Sequence, residues 1–386
     1  MNKKHVIIGL SAVGISAINR LRMLAPNDQI VCITDQPERA YNKCFLADVV
    51  SGVKTYDQLF MNIADNPQLT IRYATRVVSI NTDQRSVQLE SGEQEAFDTL
   101  CIATGASAWV PPVPGKDLAG VFTFHTLGDM DRMLEYIDRN AVRRVGIIGS
   151  GLTGLECADA LASRGLTCTI IERNDRVLSH LLAPEDAELI HTQLDRHNMA
   201  LYRSSTLASI EGNQGKVSTI VLSSGERIEL DMVIFATGTR PNGHLAVQAG
   251  IATRSGAIIT DDYLQTSVPG IWAGGDVALV KDQLSPELTL SCTWPDAMLQ
   301  GIFIAQGMAG TPKPYPGVAQ IATSAFFGLS FAATRIPQDA RVTREISVSG
   351  LKTIARTQGI LTGFTLIGDT SELPTLKRLL LTRQPY

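Results

Sequence analysis

The stretch Val145–Cys157, VGIIGSGLTGLEC, decides the fold. An apolar run, Val145–Ile148, leads into the glycines Gly149, Gly151 and Gly154, and the amphipathic run LECADALASRG follows. This order predicts a buried strand, a tight turn and a helix. Glycines at these places allow a sharp turn, close approach of the backbone to a pyrophosphate and tight packing of the helix on the strand. The phosphates would contact the unpaired N–H groups at the helix start.

The second predicted strand of this unit, Thr167–Glu172, ends in an acid 23 residues after Gly149. A carboxylate at this place binds the hydroxyls of an adenosine ribose and repels a 2′-phosphate. The sequence therefore favours NADH over NADPH, although Arg173 and Arg176 follow closely and leave NADPH open.

A second glycine motif of the same kind lies near the start of the sequence. The predicted strand Lys4–Ile8 is followed by Gly9, Ser11 and Gly14 at the same spacing, and a second predicted strand is closed by Asp35. Serine is small enough for close phosphate approach, and the Asp35 carboxylate is placed for a ribose diol. Two such units in one chain predict two nucleotides, a flavin and a nicotinamide, that exchange hydride.

The bulk composition excludes several classes of protein. At 386 residues, 44% apolar and 19% charged, the chain is predicted to be globular and to hold two or three domains. The net charge of −4 divides unevenly, because residues 310–386 hold nine Lys or Arg and four Asp or Glu, a local +5, which leaves −9 for the rest. No basic–aromatic pattern predicts nucleic-acid binding, and no run of 18 apolar residues predicts a membrane span.

The six cysteines, at positions 32, 44, 101, 157, 168 and 292, form no CxxC pair and have no metal-ligand spacing. Four of them fall in predicted strands or on a helix, where thiols act as small apolar groups. This usage favours a reducing cytoplasm. The six histidines show no metal spacing either, so no metal site is expected.

Three further motifs resemble those of the two-dinucleotide flavoprotein disulfide reductase superfamily. They are the stretches TLCIATG at Thr99–Gly105, DMVIFATGTRPN at Asp231–Asn242 and IWAGGDV at Ile271–Val277. The resemblance implies an α/β protein with two Rossmann-like domains, one for FAD and an inserted one for NADH, and a small α+β C-terminal domain. The expected boundaries are 1–112 with 241–312, 113–240, and 313–386.

The same resemblance assigns roles to single residues. Thr104, Gly105 and Asp276 are expected to contact FAD, Val77 lies in the strand that contacts adenine, and Gly238 lies near the nicotinamide side. Glu156 matches the acid of the GxxGxE pattern, which in the superfamily lies near the flavin and often pairs with a lysine. This sequence carries Asp48 where related ferredoxin reductases have that lysine, which puts the pair in doubt.

The stretch Tyr41–Gly52, YNKCFLADVVSG, lies where members of the superfamily carry the redox-active residues beside the flavin. It allows two interpretations. Cys44 fits the branches that act through one cysteine, such as coenzyme A disulfide reductase, with Lys43 and a helix start to stabilise a thiolate. Tyr41, Lys43 and Leu46 fit the rubredoxin-reductase and nitrite-reductase-flavoprotein branch equally well, and that branch needs no thiol.

The C-terminal third favours the second interpretation. Thr293–Gly310, TWPDAMLQGIFIAQGMAG, resembles the Trp-Pro helix of the rubredoxin-reductase branch, and Gly359–Asp369 resembles its closing hairpin. We therefore predict an FAD-dependent NADH oxidoreductase that passes electrons to a carrier such as rubredoxin, acidic enough to be guided by the basic C-terminal module. The module's shortness favours a monomer over a dimer. The alternatives are an NAD(P)H-dependent reductase of a disulfide, persulfide or peroxide that acts through Cys44, and a flavin-binding sensor or assembly subunit without turnover.

Overall fold

The computed structural model describes residues 2–384, and the chain divides into two compact units. The first contains Met1–Cys44, Tyr56–Ser107 and Arg240–Gln320, and the second contains Phe45–Thr55, Ala108–Thr239 and Ile321–Tyr386. Each unit is therefore assembled from three separate segments of the chain. No helix of the described residues is long and apolar enough to cross a bilayer.

A five-stranded parallel sheet forms the centre of the first unit. In spatial order its strands are Ile271–Ala273, Thr99–Ile102, Lys4–Ile8, Gln29–Ile33 and Leu69–Arg72. Apart from the edge strand Leu69–Arg72, which is half-buried, these strands are largely apolar and buried because both faces of a parallel sheet are covered. The prediction of a buried strand at Lys4–Ile8, next to a glycine turn, is confirmed.

Two long helices and smaller elements complete this unit. The helices Ala12–Leu24 and Trp294–Met308 are far apart in sequence and pack against each other. The smaller elements are the strands Val77–Asn81, Ser86–Leu89, Gln94–Ala96, Thr253–Arg254, Ala257–Ile259, Ala278–Lys281 and Leu288–Leu290, the helix His244–Gln248 and the 3₁₀ turns Lys43–Phe45 and Tyr56–Leu59.

The second unit repeats the parallel design. Its sheet has the order Ala200–Tyr202, Thr167–Ile171, Arg144–Ile148, Met232–Phe235 and Val121–Thr123. The accompanying elements are the helices Leu46–Val50, Leu127–Asn140, Leu152–Ser163 and Pro184–Arg196 and the strands Leu207–Asn213, Lys216–Leu222 and Arg227–Glu229. Short strands Ala106–Ala108 and Thr239–Pro241 lie where the chain passes between the units.

The C-terminal residues of the second unit form an antiparallel sheet and a helix. The strands, in spatial order, are Ile321–Phe326, Leu329–Thr334, Ile360–Gly368, Gly350–Thr357 and Arg341–Ser347, and the helix is Leu373–Thr382. The sequence predicts strands at Ala319–Phe326, Glu345–Ser349, Leu351–Thr357 and Ile360–Ile367 and a helix near Glu372–Leu381, which overlap four of these strands and the helix, but it does not predict Leu329–Thr334. An α/β fold with Rossmann-like parallel sheets is thus confirmed, whereas the three domain boundaries remain a prediction.

Candidate functional site

The glycines of the first turn are packed closely against backbone carbonyl groups. Gly9 has φ +110°, and a Cβ atom there would lie 2.2 Å from the carbonyl oxygen of Ala103. A Cβ on Gly14 would lie 2.1 Å from the carbonyl oxygen of Gly9. Ser11 is the N-cap of the helix Ala12–Leu24 but makes no side-chain capping bond. The N–H groups of the first turn can therefore bind phosphate, which fits a dinucleotide such as FAD.

The second turn has the same geometry and more open space. Gly149 has φ +107°, and a Cβ there would lie 2.4 Å from the Ala236 carbonyl oxygen. A Cβ on Gly154 would lie 2.2 Å from the Gly149 carbonyl oxygen, whereas one on Gly151 would have no atom of the described residues within 4 Å. The middle glycine thus faces the space that an approaching pyrophosphate requires.

The two acids at the strand ends differ in their surroundings. Asp35 is exposed, and its carboxylate lies 3.8 Å from the guanidinium of Arg76. Glu172 is only 7% exposed. Its carboxylate accepts hydrogen bonds from the backbone N–H and hydroxyl of Ser150 at 3.0 and 2.6 Å, and from the backbone and side-chain nitrogens of Asn174 at 2.8 and 2.9 Å.

Asp276 follows the strand Ile271–Ala273 after two glycines. Desolvation raises the pKa of its carboxyl group, and the positive charge of Lys43 partly opposes the rise. The Oε1 atom of Gln300 accepts the N–H of Gly275 at 2.7 Å and so fixes the turn that carries Asp276. The Trp-Pro motif of this helix did not indicate a role for Gln300.

The two crossover turns are braced by side chains. The hydroxyl of Thr104 donates to the carbonyl oxygen of Asn242 at 2.8 Å, and the Asn242 amide donates back to the Thr104 carbonyl at 3.0 Å. Gly105 and Gly238 have φ values of +63° and +95°, which favour glycine. Val77 is buried in the core at the start of its strand. The motif around Asn242 did not indicate this bracing role.

Cys44 lies in the 3₁₀ turn Lys43–Phe45, directly before the five-residue helix Leu46–Val50. The backbone N–H of Cys44 donates a hydrogen bond to the side-chain oxygen of Asn42 at 3.0 Å, and Cys44 is exposed. The cysteines at positions 32, 101, 157 and 168 are buried, as predicted, and burial raises the pKa of each thiol. Although Cys292 is also exposed, desolvation of its thiol and the carboxylate of Asp276 raise its pKa to about 12.

Glu156 lies on the helix Leu152–Ser163. Desolvation and the nearby Asp48 carboxylate raise the pKa of its carboxyl group, while a hydrogen bond donated by the Ser324 hydroxyl to its Oε1 atom lowers it. Asp48, in turn, lies 3.9 Å from the ammonium of Lys54. A serine and an acid thus surround Glu156 where the resemblance leads one to expect a lysine.

Comparison with known proteins agrees with this arrangement. A model of the pyridine nucleotide-disulphide oxidoreductase family matches residues 3–301. The chain belongs to this family. It is therefore an FAD-dependent NAD(P)H oxidoreductase, with FAD and NADH as its nucleotides. In the chain, FAD would be held by the turn at Gly9, Ser11 and Gly14.

The relatives differ in their acceptors. The chain is 32% identical to an NADH oxidase of Methanocaldococcus jannaschii, covering 86% of this chain and 75% of that one. It is 31% identical to a CoA-dependent NAD(P)H sulfur oxidoreductase of Pyrococcus furiosus (88% and 78%) and 29% identical to a rubredoxin-NAD(+) reductase of Pseudomonas putida (81% and 81%). The crystal structure of reduced CoADR-RHD from Bacillus anthracis has a TM-score of 0.93 at 26% identity, covering 100% of this chain and 75% of that one.

Proposed function

We propose that this enzyme carries electrons from NADH through FAD to a small electron-carrier protein such as rubredoxin. Bound FAD would supply hydride acceptance from NADH and one-electron donation to the carrier. The chain's residues bind and orient both nucleotides through the two glycine turns. Asp276 and Lys43 set the charge near the FAD-binding turn, and burial raises the pKa of the Glu156 carboxyl group.

The observation that supports a protein acceptor most strongly is the open edge of the C-terminal sheet. The edge strand Arg341–Ser347 is exposed along nearly all of its length. Ile346, in the strand, is 78% exposed, and Val348, just after it, is 110% exposed. Exposed apolar side chains at a sheet edge are typical of surfaces that dock another protein, and the exposed Arg341 on the same strand adds a positive charge that an acidic partner would favour. The similarity to a rubredoxin reductase is consistent with such a partner.

A second candidate is the reduction of a disulfide or persulfide through Cys44. It is favoured by the exposure of Cys44, by the adjacent Lys43 and by the similarity to a sulfur oxidoreductase. A thiolate at Cys44 would attack one sulfur of the substrate's S–S bond, which forms a mixed disulfide and releases the other sulfur as a thiolate. Two electrons from NADH, with one proton, would then cleave the mixed disulfide, release the second thiol and regenerate the Cys44 thiolate.

One pair of variants separates the candidates. In Cys44→Ser, we expect NADH-driven rubredoxin reduction to stay within about twofold of the wild type, because no thiol takes part in electron transfer to a carrier. Turnover of coenzyme A disulfide should be negligible in both the wild type and the variant. Cys292→Ser serves as the matched control.

A different result would replace the first candidate with the second. If the wild type reduces coenzyme A disulfide rapidly and Cys44→Ser loses about 10³-fold or more of that rate, then Cys44 is the nucleophile. Anaerobic titration with NADH gives an independent reading. A long-wavelength charge-transfer band would reveal a thiolate beside the flavin, and simple bleaching would favour the carrier.

A further inference from the structure

The carboxylate of Glu172 has no free acceptor position for a ribose. A carboxylate offers about four lone-pair directions. All four are used by donors from the chain, namely the backbone N–H and side chain of Ser150 and the backbone N–H and side chain of Asn174. A ribose hydroxyl could donate to Glu172 only after one of these donors had left.

The surrounding loop keeps these donors in place. The backbone N–H of Leu178 donates to the carbonyl oxygen of Ser150 at 3.1 Å, which ties the loop after Glu172 back to the glycine turn. The side-chain nitrogen of Asn174 also donates to the Ser179 hydroxyl at 2.8 Å. Since Glu172 is only 7% exposed, we interpret its carboxylate as the tie between this loop and the turn.

The two arginines of the loop have different tasks. Arg176 donates from Nε to the Leu182 carbonyl at 2.9 Å and from Nη2 to the Ser179 carbonyl at 3.2 Å, and it forms an ion pair with Asp175. Its guanidinium thus stabilises the fold of the loop. Arg173 is exposed, and within the described part of the chain its guanidinium has no hydrogen bond or ion pair.

We propose that Arg173, rather than Glu172, determines the coenzyme choice, and that the enzyme takes NADPH within about tenfold of NADH in affinity. Arg173 directly follows the strand-end acid, where an arginine accommodates the 2′-phosphate of NADPH. A guanidinium binds phosphate with two parallel charge-assisted hydrogen bonds. The repulsion expected from Glu172 is weakened because four donors already stabilise its charge. The inference rests on the proposed function only for the binding of a nicotinamide nucleotide by the second unit.

Binding of nucleotide fragments to the FAD-loaded protein tests this without turnover. Adenosine 2′,5′-bisphosphate carries the 2′-phosphate, and AMP lacks it. Isothermal titration calorimetry should give a dissociation constant for the bisphosphate that is equal to or lower than that for AMP, or at most about tenfold higher. A larger preference for AMP would overturn the proposal.

A charge-removing variant tests the assigned residue. Arg173→Ala should weaken the bisphosphate about tenfold or more, because a hydrogen-bonded charge pair is lost, and leave AMP unchanged. The matched control is Arg139→Ala, an exposed arginine on the helix Leu127–Asn140. An unchanged affinity for the bisphosphate, or an equal loss for both fragments, would remove Arg173 from this role.

Flavin reduction under anaerobic conditions separates this inference from the proposed function. If both NADH and NADPH bleach the flavin, then both statements stand. If NADH alone does so, the coenzyme inference fails and the proposed function remains. If neither coenzyme reduces the flavin, the proposed function itself fails, whatever the fragments bind.

Discussion

Glu156 is in an environment that favours its protonated form. Burial and the Asp48 carboxylate raise its pKa above the ordinary value in the folded protein. In the unfolded chain the group loses its proton near pH 4.3. Between the unfolded and folded pKa values the native state binds more protons, so this group's contribution to the free energy of unfolding falls as the pH rises through that window.

The variant Glu156→Gln should therefore lose this pH dependence. Glutamine is neutral at every pH, and its side-chain oxygen can still accept the hydrogen bond from Ser324. We expect the melting temperature of the variant to exceed that of the wild type at pH 8 and to match it near pH 4. Thermal unfolding at both values measures the difference. An equal shift at pH 4 and pH 8 would show that packing, and not ionisation, is responsible.

Which residues could be predicted from the sequence depends on how far apart their partners lie. Within each unit the first glycine and the strand-end acid lie close in sequence, Gly9 and Asp35 26 residues apart and Gly149 and Glu172 23 residues apart, and a βαβ unit imposes that spacing. Asn242 and Ser324 act on residues that lie far away in sequence, 138 positions away for Asn242 and Thr104 and 168 for Ser324 and Glu156. No local pattern signals such a contact. No motif indicated that Ser150 and Asn174 donate to the Glu172 carboxylate.

At the scale of elements, the close crossing of two helices shapes the first unit. A Cβ atom on Gly301, in the helix Trp294–Met308, would lie 2.5 Å from the carbonyl oxygen of Val13 and 2.7 Å from Cβ of Ser16. The first atom belongs to the backbone of the helix Ala12–Leu24. Because backbone cannot rotate aside as a flexible side chain can, any larger residue at position 301 must push the helices apart.

Gly301→Ala should therefore destabilise the protein even though alanine is the better helix former. The expected loss in the free energy of unfolding is about 1–3 kcal/mol, as for overpacking in a core. Chemical denaturation measures it. The control is Ile302→Ala, at a half-buried neighbour in the same helix. A stabilised Gly301→Ala protein would mean that the helices can separate without cost.

The strand that the sequence did not predict, Leu329–Thr334, shows a limit of pattern reading. Its sequence, LSFAAT, does not alternate between apolar and polar residues. It follows a turn at Phe327, whose φ is +51°. The turn is held from outside, because the backbone N–H of Phe327 donates to Asp159 at 2.9 Å and Gln193 donates to its carbonyl at 2.8 Å. Tertiary contacts, rather than local preference, thus determine this hairpin.

At the scale of the whole molecule, the charge is distributed unevenly. Residues 310–386 carry +5, against −9 for the remainder. Long-range attraction of an acidic carrier raises the association rate and is screened by salt. We expect kcat/KM for rubredoxin to fall about tenfold between low and 0.3 M ionic strength. The rate with a small uncharged quinone should not change.

Charge reversal locates the effect on the C-terminal sheet. Arg341→Glu, on the exposed edge strand, should lower kcat/KM for rubredoxin and flatten its salt dependence, while Arg139→Glu on a helix of the same unit should have little effect. A rate for the wild type that does not depend on salt would exclude electrostatic guidance, although reduction of the carrier could still occur.

The division of the first unit among three segments has a consequence for biosynthesis. The ribosome makes the strand Lys4–Ile8 first, but that unit's edge strand Ile271–Ala273 and the helix Trp294–Met308 come late. All strands of the second unit's parallel sheet, in contrast, lie within residues 121–235 and can pair earlier. Gln300, which fixes the turn before Asp276, is also translated late. Capture of the flavin is therefore expected only after residues 271–308 have been made, and until then the apolar faces that these elements cover stay exposed.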